Sequence, residues 1–179
     1  MLKFNRVVAL VLGTILISSG AHAAKPEDVF KGRIVITDSR LPTRFSSEGQ
    51  FVQAIHRASI DKVWPKEEKG NDVAVWKFEY IAFFARPLND NEITVKFWKL
   101  GAGSQKFVAG DEQYTRERGS RIFSASITIA KPEFDTNKQY LMTIESGSRV
   151  LAQTKFWLRG KGPKYSGKVE FSDDEAKQR

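Results

Sequence analysis

Apolar and polar residues alternate with a period of two through most of the chain after residue 32. In a β-strand successive side chains point to opposite faces, so this alternation predicts half-buried strands. The clearest case is residues 121–129, where Phe123, Ala125, Ile127 and Ile129 form one face. The alternating segments predict seven strands, at residues 33–37, 73–85, 92–99, 105–109, 121–129, 138–146 and 150–158.

One segment has a helical period instead. Phe51, Ile55 and Ala58 recur at helical spacing after two serines, and Glu48 stands near the start, where the helix dipole favours an acidic residue. We therefore expect one short amphipathic helix within residues 48–60. A parallel sheet needs a crossover helix between strand pairs, so seven strands and a single helix favour a mainly β, antiparallel sandwich.

Two segments resemble parts of immunoglobulin-like domains. Residues 132–140 (PEFDTNKQY) resemble the E–F corner, in which a tyrosine, here Tyr140, bonds back to the preceding loop backbone. Residues 145–152 resemble the F–G hairpin of bacterial members of that class. The resemblance implies a seven-stranded antiparallel immunoglobulin-like β-sandwich, with strands 92–99, 105–109, 138–146 and 150–158 in one sheet. The whole chain also resembles an uncharacterised family of secreted bacterial proteins.

The first 23 residues have the three parts of an export signal. Lys3 and Arg6 precede an apolar run at residues 7–18, and Ala21 and Ala23 stand at the minus three and minus one positions. The run is too short to span a bilayer as a mature helix. We expect cleavage before Ala24, a periplasmic or secreted product without a transmembrane segment, a sandwich domain at 24–160, and a partly flexible charged tail at 161–179.

Composition excludes several kinds of chemistry. The chain has no cysteine, and His56 is the one histidine outside the predicted leader, so we expect no thiol catalysis, no metal and no cofactor. Cleavage would lower the formal net charge from +8 to +6, which favours anionic partners. No nucleic-acid recognition motif is present, and we expect no nucleic-acid partner.

The most informative candidate site lies on the outer face of the sheet that contains strands 92–99 and 150–158. If Phe97 and Phe156 point inward, alternation turns Trp98 and Trp157 outward, roughly 10 Å apart. Lys96, Lys155 and Arg159 flank them. Indoles beside cations can stack on sugar rings or anchor a protein partner. Alternatively, the 48–60 helix or the segment 165–171 covers the two tryptophans.

A second candidate is the loop that contains Arg116, Arg118 and Arg121. Arginine forks suit carboxylate or phosphate, so the loop is a candidate anion-binding site. The alternative is that these charges are simply solvated.

These features favour an exported, soluble, non-enzymatic binding or accessory domain that contacts a protein or an anionic cell-envelope polymer. One alternative is an envelope-glycan hydrolase that uses carboxylates, because glutamates distant in sequence can approach in the fold. The candidates for that chemistry are Glu79, Glu92, Glu112 and Glu145. Another alternative is a structural subunit that assembles through its C-terminal tail.

Overall fold

The computed structural model describes residues 24–42, 44–66, 74–115 and 118–160. Two helices and eight strands lie in these ranges: α1 (Pro26–Val29), β1 (Arg33–Thr37), α2 (Glu48–Ala58), β2 (Lys62–Val63), β3 (Val75–Phe83), β4 (Glu92–Leu100), β5 (Gln105–Tyr114), β6 (Ile122–Ala130), β7 (Lys138–Ser146) and β8 (Arg149–Leu158). The predicted leader and tail, residues 1–23 and 161–179, lie outside the described residues.

The strands form one sheet in the order β5-β4-β7-β8-β1-β3-β6, with β2 beside β8. The sheet curls so that the half formed by β5, β4, β7 and β8 faces the half formed by β1, β3 and β6. The prediction of a mainly β chain is confirmed. The order also places the four strands β5, β4, β7 and β8 side by side, as the resemblance to immunoglobulin-like domains implies.

Two features of the sheet differ from the prediction. The described residues contain eight strands, because the short β2 lies in a segment that has no alternation to mark it. The sheet is also mixed, since β8 pairs in parallel with β2 and, at Arg33 and Gln153, with β1. Helix α2 connects β1 to β2. This connection brings β2 back to the edge of β8 that β1 also contacts, so both strands run parallel to β8.

Strand β5 continues five residues beyond its predicted end. The polar sequence from Gly110 onward predicts a loop, but each residue from Gly110 to Tyr114 is paired with β4. Main-chain hydrogen bonds to a neighbouring strand do not require apolar side chains. Pairing with β4 therefore extends the strand through a polar segment.

The main core lies between the two halves of the sheet. Side chains from β3 meet side chains from β8 there, as in the contact of Phe78 with Phe156 at 5.5 Å between ring centroids. The alternate residues of β3 that face this core, Trp76, Phe78, Tyr80 and Ala82, are all buried. The largest fully buried side chains of this core are Trp76, Tyr80, Tyr140, Phe78, Phe84, Phe97 and Phe156.

Helix α2 confirms the predicted helix and covers one outer face. The hydroxyl of Ser47 caps its start by accepting a hydrogen bond from the backbone N–H of Gln50. Its buried residue Ile55 packs with Val35 and Phe83 on the outer side of β1 and β3. Within the described ranges, no helix is both long and apolar enough to cross a membrane.

Tyr140 ties the loop before β7 to the core. Its hydroxyl accepts a hydrogen bond from the backbone N–H of Asp135 at 2.8 Å and lies 3.4 Å from the Asp135 carbonyl oxygen. The predicted bond from this tyrosine to the preceding loop is therefore present. Burial raises the pKa of Tyr140 above its ordinary value of 10.0.

Candidate functional site

The outer face of β5, β4, β7 and β8 carries most of the residues that the sequence singles out for binding. We call it the aromatic face and define it by residues Phe107, Trp98, Leu141, Lys155 and Trp157, together with Lys96, Thr143, Glu145 and Arg159. Cross-strand pairing sets its first row, in which Phe107, Trp98, Leu141 and Lys155 are successive partners. Side chains in such a row stand next to one another on one face of the sheet.

A register shift in β5 brings Phe107 to this face. The pairing moves from Phe97 with Ala109 to Trp98 with Phe107, so Val108 is the extra residue. The rings of Trp98 and Phe107 meet edge to face, with centroids 5.4 Å apart and an interplanar angle of 70°. Phe107 remains 50% exposed, so it adds accessible aromatic surface beside Trp98.

Trp98 and Trp157 lie on a diagonal of the aromatic face. Trp98 pairs with Leu141, whereas Trp157 pairs with Gln139 one row further along β7. Two strand spacings and one row separate their Cα atoms by about 12 Å, slightly more than the roughly 10 Å expected from alternation alone. Leu141 lies between them and is buried, so an apolar side chain joins the two indoles into one surface.

A hydrogen-bonded network fixes one side of the aromatic face. The indole N–H of Trp98 donates to the hydroxyl of Thr143 at 3.4 Å, and that hydroxyl donates to Glu145 at 3.0 Å. The ammonium of Lys96 donates to the other oxygen of Glu145 at 2.6 Å. Lys96 is therefore neutralised within the protein. Trp98 offers its ring, and not its N–H, to a ligand.

The other side of the face holds a cation above an indole. The guanidinium carbon of Arg159 lies 4.8 Å from the ring centroid of Trp157, a distance suited to cation–π attraction. Lys155 is exposed one row away. Of the three predicted basic residues, Arg159 thus lies over the ring of Trp157 and Lys155 faces solvent, while Lys96 is paired with Glu145.

Helix α2 does not cover the two tryptophans, because it packs on the outer side of β1 and β3 in the other half of the sheet. Trp98 and Trp157 are each half-buried by neighbours on their own face. The alternative cover, residues 165–171, lies outside the described residues.

The predicted arginine cluster is divided in the structure. Arg121 turns toward α1, where its guanidinium lies 3.0 Å from the carboxylate of Asp28 and 3.9 Å from that of Glu27. Arg118 instead donates to the side-chain oxygen of Asn91 at 2.8 Å. It lines a shallow depression with Arg149 at the loop end of the sheet. Arg116 lies outside the described residues.

The four candidate carboxylates lie in three places. Glu112 and Glu145 flank Thr94 in one cross-strand row of the outer face, and both oxygens of Glu145 are bound by Lys96 and Thr143. Glu92 lines the depression at the loop end, and Glu79 lines a cavity beside α2. Among the described residues no group of three or more histidine, cysteine or acidic side chains is placed to hold a metal ion.

The alternation pattern does not single out Phe107, which the structure places beside Trp98 on the aromatic face. Its neighbours Val108 and Ala109 are also apolar, so alternation does not fix which of these residues faces outward. The bulge that decides it depends on pairing with β4. Lys96 was predicted as a ligand-binding cation, but its partner Glu145 is 49 residues away in the chain, and no local pattern connects them.

No family model matches the chain, and no curated protein matches it. Among solved structures, a β-glucosidase from Kluyveromyces marxianus is 11% identical with a TM-score of 0.31, covering 55% of this chain and 14% of that enzyme. A β-glucosidase from Listeria innocua in complex with gluconolactone is 10% identical with a TM-score of 0.32, covering 72% of this chain and 16% of that enzyme. The chain spans about a seventh of the length of these enzymes.

Proposed function

We propose that the chain is an exported, non-enzymatic binding domain that uses the aromatic face to hold a protein or an anionic polymer of the cell envelope. The observation that carries this proposal is the contrast between the two outer faces. Helix α2 covers the outer side of β1 and β3. The outer side of β4 and β8 carries the half-buried Trp98 and Trp157, with the half-exposed Phe107 beside them. Exposed aromatic groups that persist on a protein surface commonly serve binding.

The chemistry of the face supports an aromatic or apolar anchor with a cationic rim. Trp98 and Phe107 present ring surface, Leu141 fills the space between the indoles, and the cations of Lys155 and Arg159 stand beside Trp157. Such a surface favours sugar rings or apolar side chains that carry nearby negative charge. Glu145 is already bound by Lys96 and Thr143, which favours a structural role for this carboxylate over a catalytic one.

We further propose that the curled sheet is an immunoglobulin-like sandwich. Its support is the strand order β5-β4-β7-β8 in one half and β1-β3-β6 in the other, with a shared core between them. The hydrogen bond from Asp135 to Tyr140 matches the corner expected before strand F. The proposed export depends on the sequence of residues 1–23.

The test is the double variant Trp98→Ala and Trp157→Ala, assayed for retention on envelope polymer isolated from the host and on the proteins that co-purify with it. We expect retention to fall at least tenfold while the unfolding midpoint stays close to that of the parent chain. The matched control is Tyr114→Ala, which removes a 69% exposed ring from β5 at a distance from the two indoles. Unchanged retention, or a collapse of stability in the double variant alone, would refute the proposal.

A further inference from the structure

Strand β6 is an edge of the described sheet, and its main chain is open on one side. The bonds from Phe84 N–H to the Arg121 carbonyl and from Lys131 N–H to the Ala74 carbonyl bracket the β3–β6 ladder. In an antiparallel pair, hydrogen-bonded positions alternate with positions whose main chain faces away. By this register, the backbone N–H and C=O groups of Ser124, Ser126 and Thr128 point away from β3.

The side chain of Ser120 marks where this open edge begins. Its hydroxyl accepts the N–H of Ile122 at 3.2 Å and donates to the carbonyl of Ile122 at 2.6 Å. The edge-facing N–H and C=O groups of Ile122 are therefore hydrogen-bonded locally. The corresponding groups of Ser124, Ser126 and Thr128 point toward solvent in this register.

The two edge strands of the described sheet differ in how they are protected. Strand β5 carries Lys106, Asp111 and Glu112 and is interrupted by a bulge, which are common devices against unwanted pairing. Strand β6 has the sequence IFSASITIA, without charge or proline, and pairs with β3 in unbroken register. An uncharged, regular edge of nine residues is suited to accept another strand.

An apolar cavity adjoins the same edge. It has a volume of about 620 Å³ and lies over the outer face of β3 and β6. Phe45 and Phe51, with ring centroids 4.8 Å apart, form one wall. The β6 residues beneath it, Ser124 and Ser126, have small side chains that leave room above the strand. A strand added at the edge would place alternate side chains beside this cavity.

The described part of the chain ends near the loop between β6 and β7. The carbonyl of Arg159 accepts a hydrogen bond from the indole of Trp76 at 2.8 Å, and Trp76 is the β3 partner of Ile129. The backbone N–H of Gly160 donates to the side chain of Asn137 at 3.2 Å, in the loop between β6 and β7. Gly160 therefore lies beside the loop that follows the C-terminal end of β6.

The sequence that follows fits this edge in length and pattern. Residues 161–164 can bridge about 13 Å. Residues 165–171 would extend about 23 Å as a strand, the length of Ile122–Thr128. In an antiparallel register with Tyr165 opposite Thr128, the apolar residues Tyr165, Val169 and Phe171 share the cavity side, and the polar residues between them face the other way.

We propose that residues 165–171 of this chain bind in cis to the open edge of β6 as an added antiparallel strand, with Tyr165, Val169 and Phe171 against the cavity beneath Phe45 and Phe51. The added strand satisfies the edge-facing groups of Ser124, Ser126 and Thr128 and covers an edge that would otherwise invite association. This inference is independent of the aromatic face.

Amide hydrogen exchange on the intact chain tests the proposal. We expect the amides of Ser124, Ser126 and Thr128 to be protected, and their exchange to accelerate by about tenfold or more in the double variant Val169→Asp and Phe171→Asp. The matched control, Ser166→Asp with Lys168→Asp, changes two residues on the opposite side of the same segment and should keep the protection. Free exchange at these three amides in the intact chain would overturn the proposal.

A variant of the acceptor strand separates main-chain pairing from side-chain contact. Ser126→Pro removes an N–H that faces away from β3, so the β3–β6 ladder keeps its bonds, and protection at Ser124 and Thr128 should fall. Ser126→Ala keeps that N–H and should preserve the protection. If the proline variant does not fold, the two tail variants still decide the outcome. Protection that increases with protein concentration would assign the strand to a second copy and overturn binding in cis.

Discussion

The ammonium of Lys96 lies 2.6 Å from the carboxylate of Glu145, whose side chain is only 10% exposed although it belongs to the outer face of the sheet. Removing the cation would leave a buried carboxylate whose remaining hydrogen-bond donor is Thr143. An uncompensated buried charge destabilises more than the loss of the whole pair. The pair is therefore expected to stabilise the fold and to keep Thr143 and Trp98 in position on the aromatic face.

We expect Lys96→Met to lower the free energy of unfolding by about 1–3 kcal/mol. The double variant Lys96→Met with Glu145→Gln should lose less free energy of unfolding, because the neutral glutamine leaves no unpaired charge buried. Urea unfolding of the parent, both single variants and the double variant measures this coupling. A double variant that loses the sum of the two single losses would refute it.

Tyr140→Phe should lower the free energy of unfolding by about 1 kcal/mol, because the backbone N–H of Asp135 loses its acceptor while the packed ring remains. The control is Tyr114→Phe, which removes a hydroxyl from a 69% exposed ring and should change stability little. Thermal or urea unfolding of the two variants gives the comparison. Equal effects would show that the corner bond contributes nothing specific.

The hydrogen bond from Lys99 lowers the pKa of the Asp135 carboxyl below its ordinary value of 3.8. A carboxyl with a lower pKa in the folded protein adds stability above that ordinary value, and this contribution is lost as the pH falls through the folded pKa. Lys99→Met should raise the pKa of Asp135 and flatten the pH dependence of stability below about pH 4. Carboxyl carbon NMR titration of Asp135 checks the direction, and an unchanged pKa would contradict it.

Phe107→Ala should weaken the proposed binding by severalfold while changing the free energy of unfolding by less than about 1 kcal/mol, because half of this side chain already faces solvent. The tryptophan emission should shift to longer wavelength as Trp98 loses its neighbouring ring. Tyr114→Ala is again the control, since it lies on the same strand about 20 Å away. Full retention on envelope polymer and co-purifying proteins would remove Phe107 from the site.

Local pattern was sufficient for most of the secondary structure. The helix that begins after Ser47 and most of the strands follow from residue type and spacing within short windows. The bond made by Tyr140 follows from the resemblance of residues 132–140 to the E–F corner of immunoglobulin-like domains. The predicted ends failed where pairing with a distant strand decided them. Residues 110–114 are polar and still belong to β5, because β4 supplies their main-chain partners.

In the candidate site too, local pattern accounts for some features and contacts between distant segments account for others. Alternation turns Trp98 and Trp157 outward when Phe97 and Phe156 face the core, and the resemblance to immunoglobulin-like domains implies that both tryptophans lie on the same sheet. The internal partners Glu145 for Lys96, and Asp28 for Arg121, come from strands and helices far away in the chain. Whether a cation is available to a ligand depends on such partners, and spacing along the sequence does not encode them.

By itself the sequence determined most of the segments that become strands and, where alternation is regular, which face of a strand turns inward, because side-chain alternation and the exclusion of apolar groups from water act locally. The tertiary structure alone decided the mixed strand pairing, the bulge that presents Phe107, and the choice of outer face covered by α2. These depend on main-chain hydrogen bonds and packing between segments separated by tens of residues, whose register no single segment specifies.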